Sequence, residues 1–328
     1  MTKLTHLIGI IKDKASQSKA ALLSNRTTLS LLRVTSHDSF TPPTRKHLAT
    51  LLSSGDGSRA TASAAIEILM DRLQGTNNAA VALKCLIAVH HIINHGSFIL
   101  QDQLSVYPST GGRNYLNLSN FRHNSDHTSW ELSSWVRWFA QHIEQVLCSS
   151  RVLGFFLGNS NSYDREDRVS GLTNGDLLTE FDSLVGLVEG ICNRPDPASN
   201  NGNRLVDEIV NLARGDWVVI RIEVCVRVSE LRERLGGFKF GEAVELVCCL
   251  KRLEQCEERV MMMMEEAQEL RFWELVREVK EKAEMEVYRE EAKLVKDTKK
   301  LRVSESDRFS ARVLRYTDFL SFPSSRFL

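Results

Sequence analysis

Apolar positions recur along most of the chain at three- and four-residue spacing, the period of an amphipathic helix. Over residues 3–23, Leu4, Leu7, Ile8, Ile11 and Ala15 fall on one face, flanked by Lys12, Lys14 and Lys19. A second short helix is expected over 27–36. Thr41-Pro42-Pro43 is a helix-start signal, because proline suits the first turn. The helix opened there should run through Leu52 and stop at Gly55. Residues 60–74 and 79–95 read as helices ended by Gly75 and Gly96. The second is apolar round most of its circumference, as a central buried helix would be. Later helices are expected at 97–105, 129–149, 176–192, 203–213, 216–235, 240–270 and 271–300. Polar loops are expected at 107–128 and 158–175, with a turn at 193–202. Residues 218–228 alternate enough to suggest a strand, but their helical flanks favour a helix. No repeat of fixed period appears. The pattern therefore predicts an all-α fold, with consecutive helices stacked antiparallel as a solenoid or bundle.

Composition narrows the class. The chain has 328 residues, 42% hydrophobic and 26% charged, so it can bury a sizeable core. Six Pro and 18 Gly favour long helices over many turns. The seven cysteines form no CxxC pair, which fits reduced thiols in the cytosol. No apolar run approaches the roughly 18–20 residues that a spanning helix needs. The first residues interleave lysines with apolar positions and so lack the single apolar block of a signal peptide.

Lys+Arg and Asp+Glu both number 42, giving zero net charge and arguing against an all-over basic nucleic-acid binder. The total hides a separation. Residues 1–50 carry eight basic side chains and only Asp13 and Asp38 as acids, while 151–200 are acidic. A basic end can be drawn to anionic lipid or another polyanion, or can be a solvated helical surface. Arg45, Lys46 and His47 fall in the first turn of the helix after Pro42-Pro43. Cations there oppose the helix dipole, and a bound anion reverses that sign. Arg33, ending the preceding helix, can face the same spot. The alternative is that all four point outward into water.

The run Arg33-Val-Thr-Ser-His37-Asp, followed by Pro-Thr-Arg45-Lys46-His47, resembles the phosphoinositide-binding signature of the ANTH domain. That domain belongs to CALM-like clathrin assembly proteins and is related to epsin's ENTH domain. The signature is a Lys, a spacer, then Lys-x-(Lys/Arg)-(His/Tyr). Further blocks resemble the family in order: the stretch around Lys84, His90 and His91, Tyr115–Phe121, Trp130–Phe139, Cys192–Pro195, Asn203–Glu208 and Phe240–Glu245. The overall likeness is to short plant-type members. Two departures stand out. Thr44 occupies the position of a signature Lys, and the spacing from Arg33 to His47 is one residue longer than usual.

The resemblance implies a right-handed helical solenoid of ENTH/ANTH type extended by a longer helical bundle. It implies an ENTH-like lipid-binding part over 1–150, a C-terminal helical part over 151–300 and a short tail over 301–328. It further implies a non-enzymatic adaptor that needs no cofactor and binds phosphatidylinositol bisphosphate through Arg33, Arg45, Lys46 and His47, with Lys12, Lys14 and Lys19 as weaker contributors. The expected partners are clathrin, an adaptor complex and a vesicle SNARE helix, with no nucleic acid. The expected location is cytoplasmic and peripheral on membrane, at clathrin-coated pits and vesicles, with the Golgi as a further site. The competing reading is a protein-only helical scaffold whose lipid site has decayed at Thr44.

Other constellations have plainer uses. His91 and His95 are spaced like metal ligands, but no third ligand is spaced like a known site, so packing is expected. Trp130, Trp135, Trp138 and Phe139 at helical spacing read as core rather than as a base-stacking platform. Cys248 and Cys249 point two ways from one helix. Met261–Met264 wrap a full turn, so at least one must be exposed. Asp176-Leu177-Leu178 looks like a clathrin-binding DLL, yet at a helix start its leucines are expected in the core. In the tail, Asp318, Phe319, Leu320 and Phe322 form the best clathrin or adaptor motif, although they match no strict consensus. No P-loop, GxSxG, HExxH or kinase signature appears.

Overall fold

The computed structural model describes residues 2–22, 26–38, 41–108, 111, 114–123, 127–159, 165–196, 202–264 and 269–293. Among these no strand occurs, and the all-α expectation holds. The helices are α1 (Thr2–Leu22), α2 (Arg26–Val34), α3 (Arg45–Leu52), α4 (Arg59–Gly75), α5 (Ala79–His95) and α6 (Phe98–Ser105). There follow α7 (His127–Leu153), α8 (Arg165–Ser170), α9 (Asn174–Cys192), α10 (Arg204–Arg234), α11 (Phe240–Glu254), α12 (Glu257–Met261) and α13 (269–293). Consecutive helices stack as a solenoid: α1 on α2, α2 on α3 and α4, then α5, α7, α9, and α9 against α10 and α11. None of these helices is long and apolar enough to cross a membrane.

Local chemistry sets the helix starts. Ser58 Oγ accepts from the Thr61 amide at 3.2 Å, Asn78 Oδ1 from Val81 at 3.1 Å and Thr173 Oγ1 from Asp176 at 3.2 Å. Each side chain satisfies an amide that a helix leaves unpaired. Helix α5 is buried on nearly every side, as its apolar circumference predicts. Leu177 and Leu178 are in the core, so the DLL reading falls. Trp135, Trp138 and Phe139 are buried too, while Trp130 stays exposed.

Several expectations need correction. The expected helices 203–213 and 216–235 are one helix, α10. Gly215 does not break it, because Asp216 and Trp217 on its far side are both drawn into the interior. The expected helix 240–270 ends at Glu254, where a turn at Gln255 and Cys256 redirects the chain into α12. The loop 158–175 contains α8, a helix too short to show periodicity. Ion pairs hold it: Arg165 lies 2.8 Å from Glu223 and Arg168 lies 3.2 Å from Glu180. Between those two carboxylates sits Arg227, fully buried, bonded to both. Pro42 and Pro43 precede α3 rather than opening its first turn, because Thr44 takes the cap position.

Helix α1 forms where expected, and its apolar face is open. Leu7, Ile8, Ile11 and Ala15, the expected apolar face, are all exposed, with Ile11 at 64%. The packed side is Gly9, Asp13 and Ala20. A side chain at residue 9 would place a Cβ 2.9 Å from the His37 ring, so glycine permits the close approach.

Candidate functional site

The site begins with what holds the α2–α3 connection in place. Asp13 on α1 accepts from the His37 amide at 2.7 Å, and its carboxylate lies 2.8 Å from His37 Nδ1 and 3.3 Å from Arg72. Burial would raise the Asp13 carboxyl, but the His37 hydrogen bonds and the Arg72 charge hold it below its ordinary value. Arg72 on α4 also donates to the Thr35 carbonyl at 2.7 Å. From α5, Lys84 reaches up through the core and donates to the Ser36 carbonyl at 3.1 Å and hydroxyl at 3.0 Å. Burial pushes its pKa down to about 8, against the opposing pull of Asp38 and Asp13. Residues 35–38 are thus pinned from three helices.

Arg33 leaves α2 exposed just before this pinned segment, and α3 begins with exposed Arg45 and Lys46 and half-buried His47. His47 is held below its ordinary value by burial and then by the charges of Arg33 and Lys46. Those two cations therefore share the surroundings of one imidazole. The charge of Arg45, after burial and after His90 and His95, helps push His91 down to about 4. The charges of Arg33 and Lys46 are thus felt at His47, and that of Arg45 at His91 near the end of α5. Thr44 caps α3, its hydroxyl 3.4 Å from the His47 amide. Lys12, Lys14 and Lys19 are exposed on α1 beside the exposed Leu7, Ile8 and Ile11. Asp318, Phe319, Leu320 and Phe322 lie outside the described residues.

The histidines of α5 have other work. His90 is buried and lies 2.8 Å from Asp216 of α10, and His142 of α7 lies 2.7 Å from the same carboxylate. Burial would raise Asp216, but the His90 charge and hydrogen bonds from both imidazoles hold it well below the usual carboxylate range. This node joins α5, α7 and α10. Sequence reading missed it, as it missed the anchoring role of Lys84. A lone lysine inside the apolar run of α5 was the available signal for the latter.

The ANTH domain family model matches residues 28–276. The chain belongs to the ANTH domain family. An Arabidopsis thaliana protein described as a "putative clathrin assembly protein" is 47% identical over all of this chain and 95% of its own length. Two more Arabidopsis thaliana proteins with the same description are 32% and 30% identical. They align over 85% and 86% of this chain and 86% and 100% of their own lengths. The family match starts just before Arg33 and takes in α3, Arg72 and Lys84, while Asp13 of α1 precedes it.

Proposed function

We propose that this ANTH protein is a non-enzymatic, peripheral membrane adaptor that binds a phosphoinositide headgroup and promotes clathrin coat assembly. The observation that carries the lipid reading is the shared electrostatic environment of Arg33, Lys46 and His47 at the start of α3. Among the described residues no ion pair is formed by Arg33, Arg45 or Lys46, and Arg45 and Lys46 oppose the dipole of α3, an arrangement that a phosphate relieves. Arg45 gives a second cationic contact at the rim. At an anionic surface each such residue contributes about 1 kcal/mol.

Helix α1, which packs on α2, belongs to the same lipid reading. Its exposed Leu7, Ile8 and Ile11, with Lys12, Lys14 and Lys19 alongside, have the composition of a helix that lies in the headgroup region. The clathrin role rests on the three relatives and their descriptions. An adaptor complex, a vesicle SNARE helix seated among the late helices, and placement at coated pits, coated vesicles and the Golgi belong to the same proposal. The competing reading, a protein-only scaffold, draws on Thr44, whose hydroxyl occupies an amide that a phosphate would use.

Co-sedimentation with vesicles separates the two. Strong binding to phosphatidylcholine vesicles doped with phosphatidylinositol bisphosphate, and none to phosphatidylcholine alone, is expected. Equal binding to both, by a folded protein that still captures clathrin, would establish the scaffold.

A further inference from the structure

Two cysteines far apart in sequence meet where the end of α9 approaches the turn between α11 and α12. Cys192 is the last residue of α9, and Cys256 lies in the turn between α11 and α12. Each is 5% exposed. Cys192 Sγ lies 3.7 Å from the Cys256 carbonyl oxygen, and Cys256 Sγ lies 3.5 Å from the Arg252 carbonyl oxygen. The two thiols are close enough for each to influence the other's ionisation. Cys192 ends α9 and Cys256 lies in a turn, where the backbone can absorb the approach to the S–S distance of about 2.05 Å.

The surroundings favour one sulfur as nucleophile. Arg259 Nη1 donates to the Cys192 carbonyl at 2.6 Å, and Arg194 follows two residues later with its buried Nε unpartnered. The hydrogen bond from Cys256 holds Cys192 below the ordinary thiol value, burial opposes this, and the two arginines add to the lowering. Cys256 is pushed strongly up by the same hydrogen bond and by burial. A thiolate-prone cysteine beside a protonated partner is the arrangement of an attacking and a resolving thiol. The other cysteines differ. Cys85 and Cys249 are buried and pushed up to about 12, and Cys148 and Cys248 are exposed.

We propose that Cys192 and Cys256 form a reversible, peroxide-responsive dithiol site. The Cys192 thiolate attacks one oxygen of hydrogen peroxide. The O–O bond breaks, Cys192 becomes a sulfenic acid and hydroxide leaves. That hydroxide takes the Cys256 proton as water. The Cys256 thiolate then attacks the Cys192 sulfur, forming the S–S bond and expelling a second hydroxide. This hydroxide recovers the proton first released by Cys192. Two thiols and one peroxide thus give a disulfide and two waters, and a dithiol reductant returns two electrons and two protons. The bond ties the end of α9 to the turn that leads into α12.

The full chain is treated with hydrogen peroxide, alkylated, and mapped by non-reducing peptide mass spectrometry. A peptide pair linked through Cys192 and Cys256 is expected. Dithiothreitol should release it, and the oxidised protein should melt several degrees higher than the reduced one. Cys192→Ser and Cys256→Ser should each remove both the link and the melting shift. Mapping the unaltered chain keeps the test independent of whether either variant folds. The proposal is overturned if peroxide that fully oxidises Cys148 and Cys248 leaves no link between Cys192 and Cys256. It is equally overturned if Cys192 goes on to sulfinic acid while Cys256 stays alkylatable.

Discussion

Lys84 Nζ donates to the Ser36 carbonyl at 3.1 Å, so a buried lysine of the central helix holds the segment joining Arg33 to α3. Lys84 touches no solvent and stands behind the basic cluster rather than in it. Replacing it with methionine keeps the bulk and removes the bonds to Ser36, leaving buried acceptors unmet. The expected cost is about 1–3 kcal/mol in a denaturant titration, together with weaker vesicle binding. Unchanged vesicle binding in the folded variant would show that pinning the segment does not matter to the site.

Thr44→Lys should act in two opposite directions. It restores a basic residue at the start of α3 and deletes the cap. Stability should fall by about 0.5–2 kcal/mol, while binding to bisphosphoinositide vesicles tightens several-fold. Calorimetry and co-sedimentation on one preparation check both.

Asp216 is shared by His90 and His142, and its removal strands two buried imidazoles. Asp216→Ala should destabilise the protein by about 3–5 kcal/mol. Asp216 bonds to His90, His142 and Asn94 and to none of Arg33, Arg45, Lys46 or His47, so any folded fraction should keep its vesicle preference. Thermal melts followed by binding at low temperature separate the two effects.

Acid should weaken the fold through His91. Its folded pKa, about 4, lies below the ordinary 6.5, so between these values the unfolded chain binds the extra proton. Stability from this group is full above pH 6.5 and is lost as pH falls toward 4. His91→Gln should flatten the stability profile in that window. His47 works in the other sense for binding. A bound phosphate favours its protonated form, so vesicle affinity should rise as pH falls below 7, and His47→Gln should abolish that rise.

The helices were legible because their apolar period is strong and their caps are local: Ser58, Asn78 and Thr173 each sit just before a periodic run. What escaped was decided at long range. Nothing local distinguishes Asp216 in α10 from a helix-breaking Gly-Asp pair until His90 and His142 arrive from other helices. Helix α8 depends on Glu180 and Glu223, which follow it in sequence. Periodicity showed that Leu7, Ile8 and Ile11 share a side of α1, and not whether a partner covers that side. Gly9 and His37 settle that question through a fit between backbone and ring. The basic cluster was visible as rule-breaking charge at a helix start, but that Arg33 and Lys46 are felt at His47 and Arg45 at His91 needed the third dimension.

The central claim is that Arg33, Lys46 and His47 act as one anion site. Its most direct test is vesicle co-sedimentation of Arg33→Glu/Lys46→Glu, with circular dichroism to verify the fold. The expected result is a protein of unchanged helicity that no longer distinguishes bisphosphoinositide vesicles from plain phosphatidylcholine. A folded double variant that still prefers bisphosphoinositide vesicles as strongly as the native chain would contradict it.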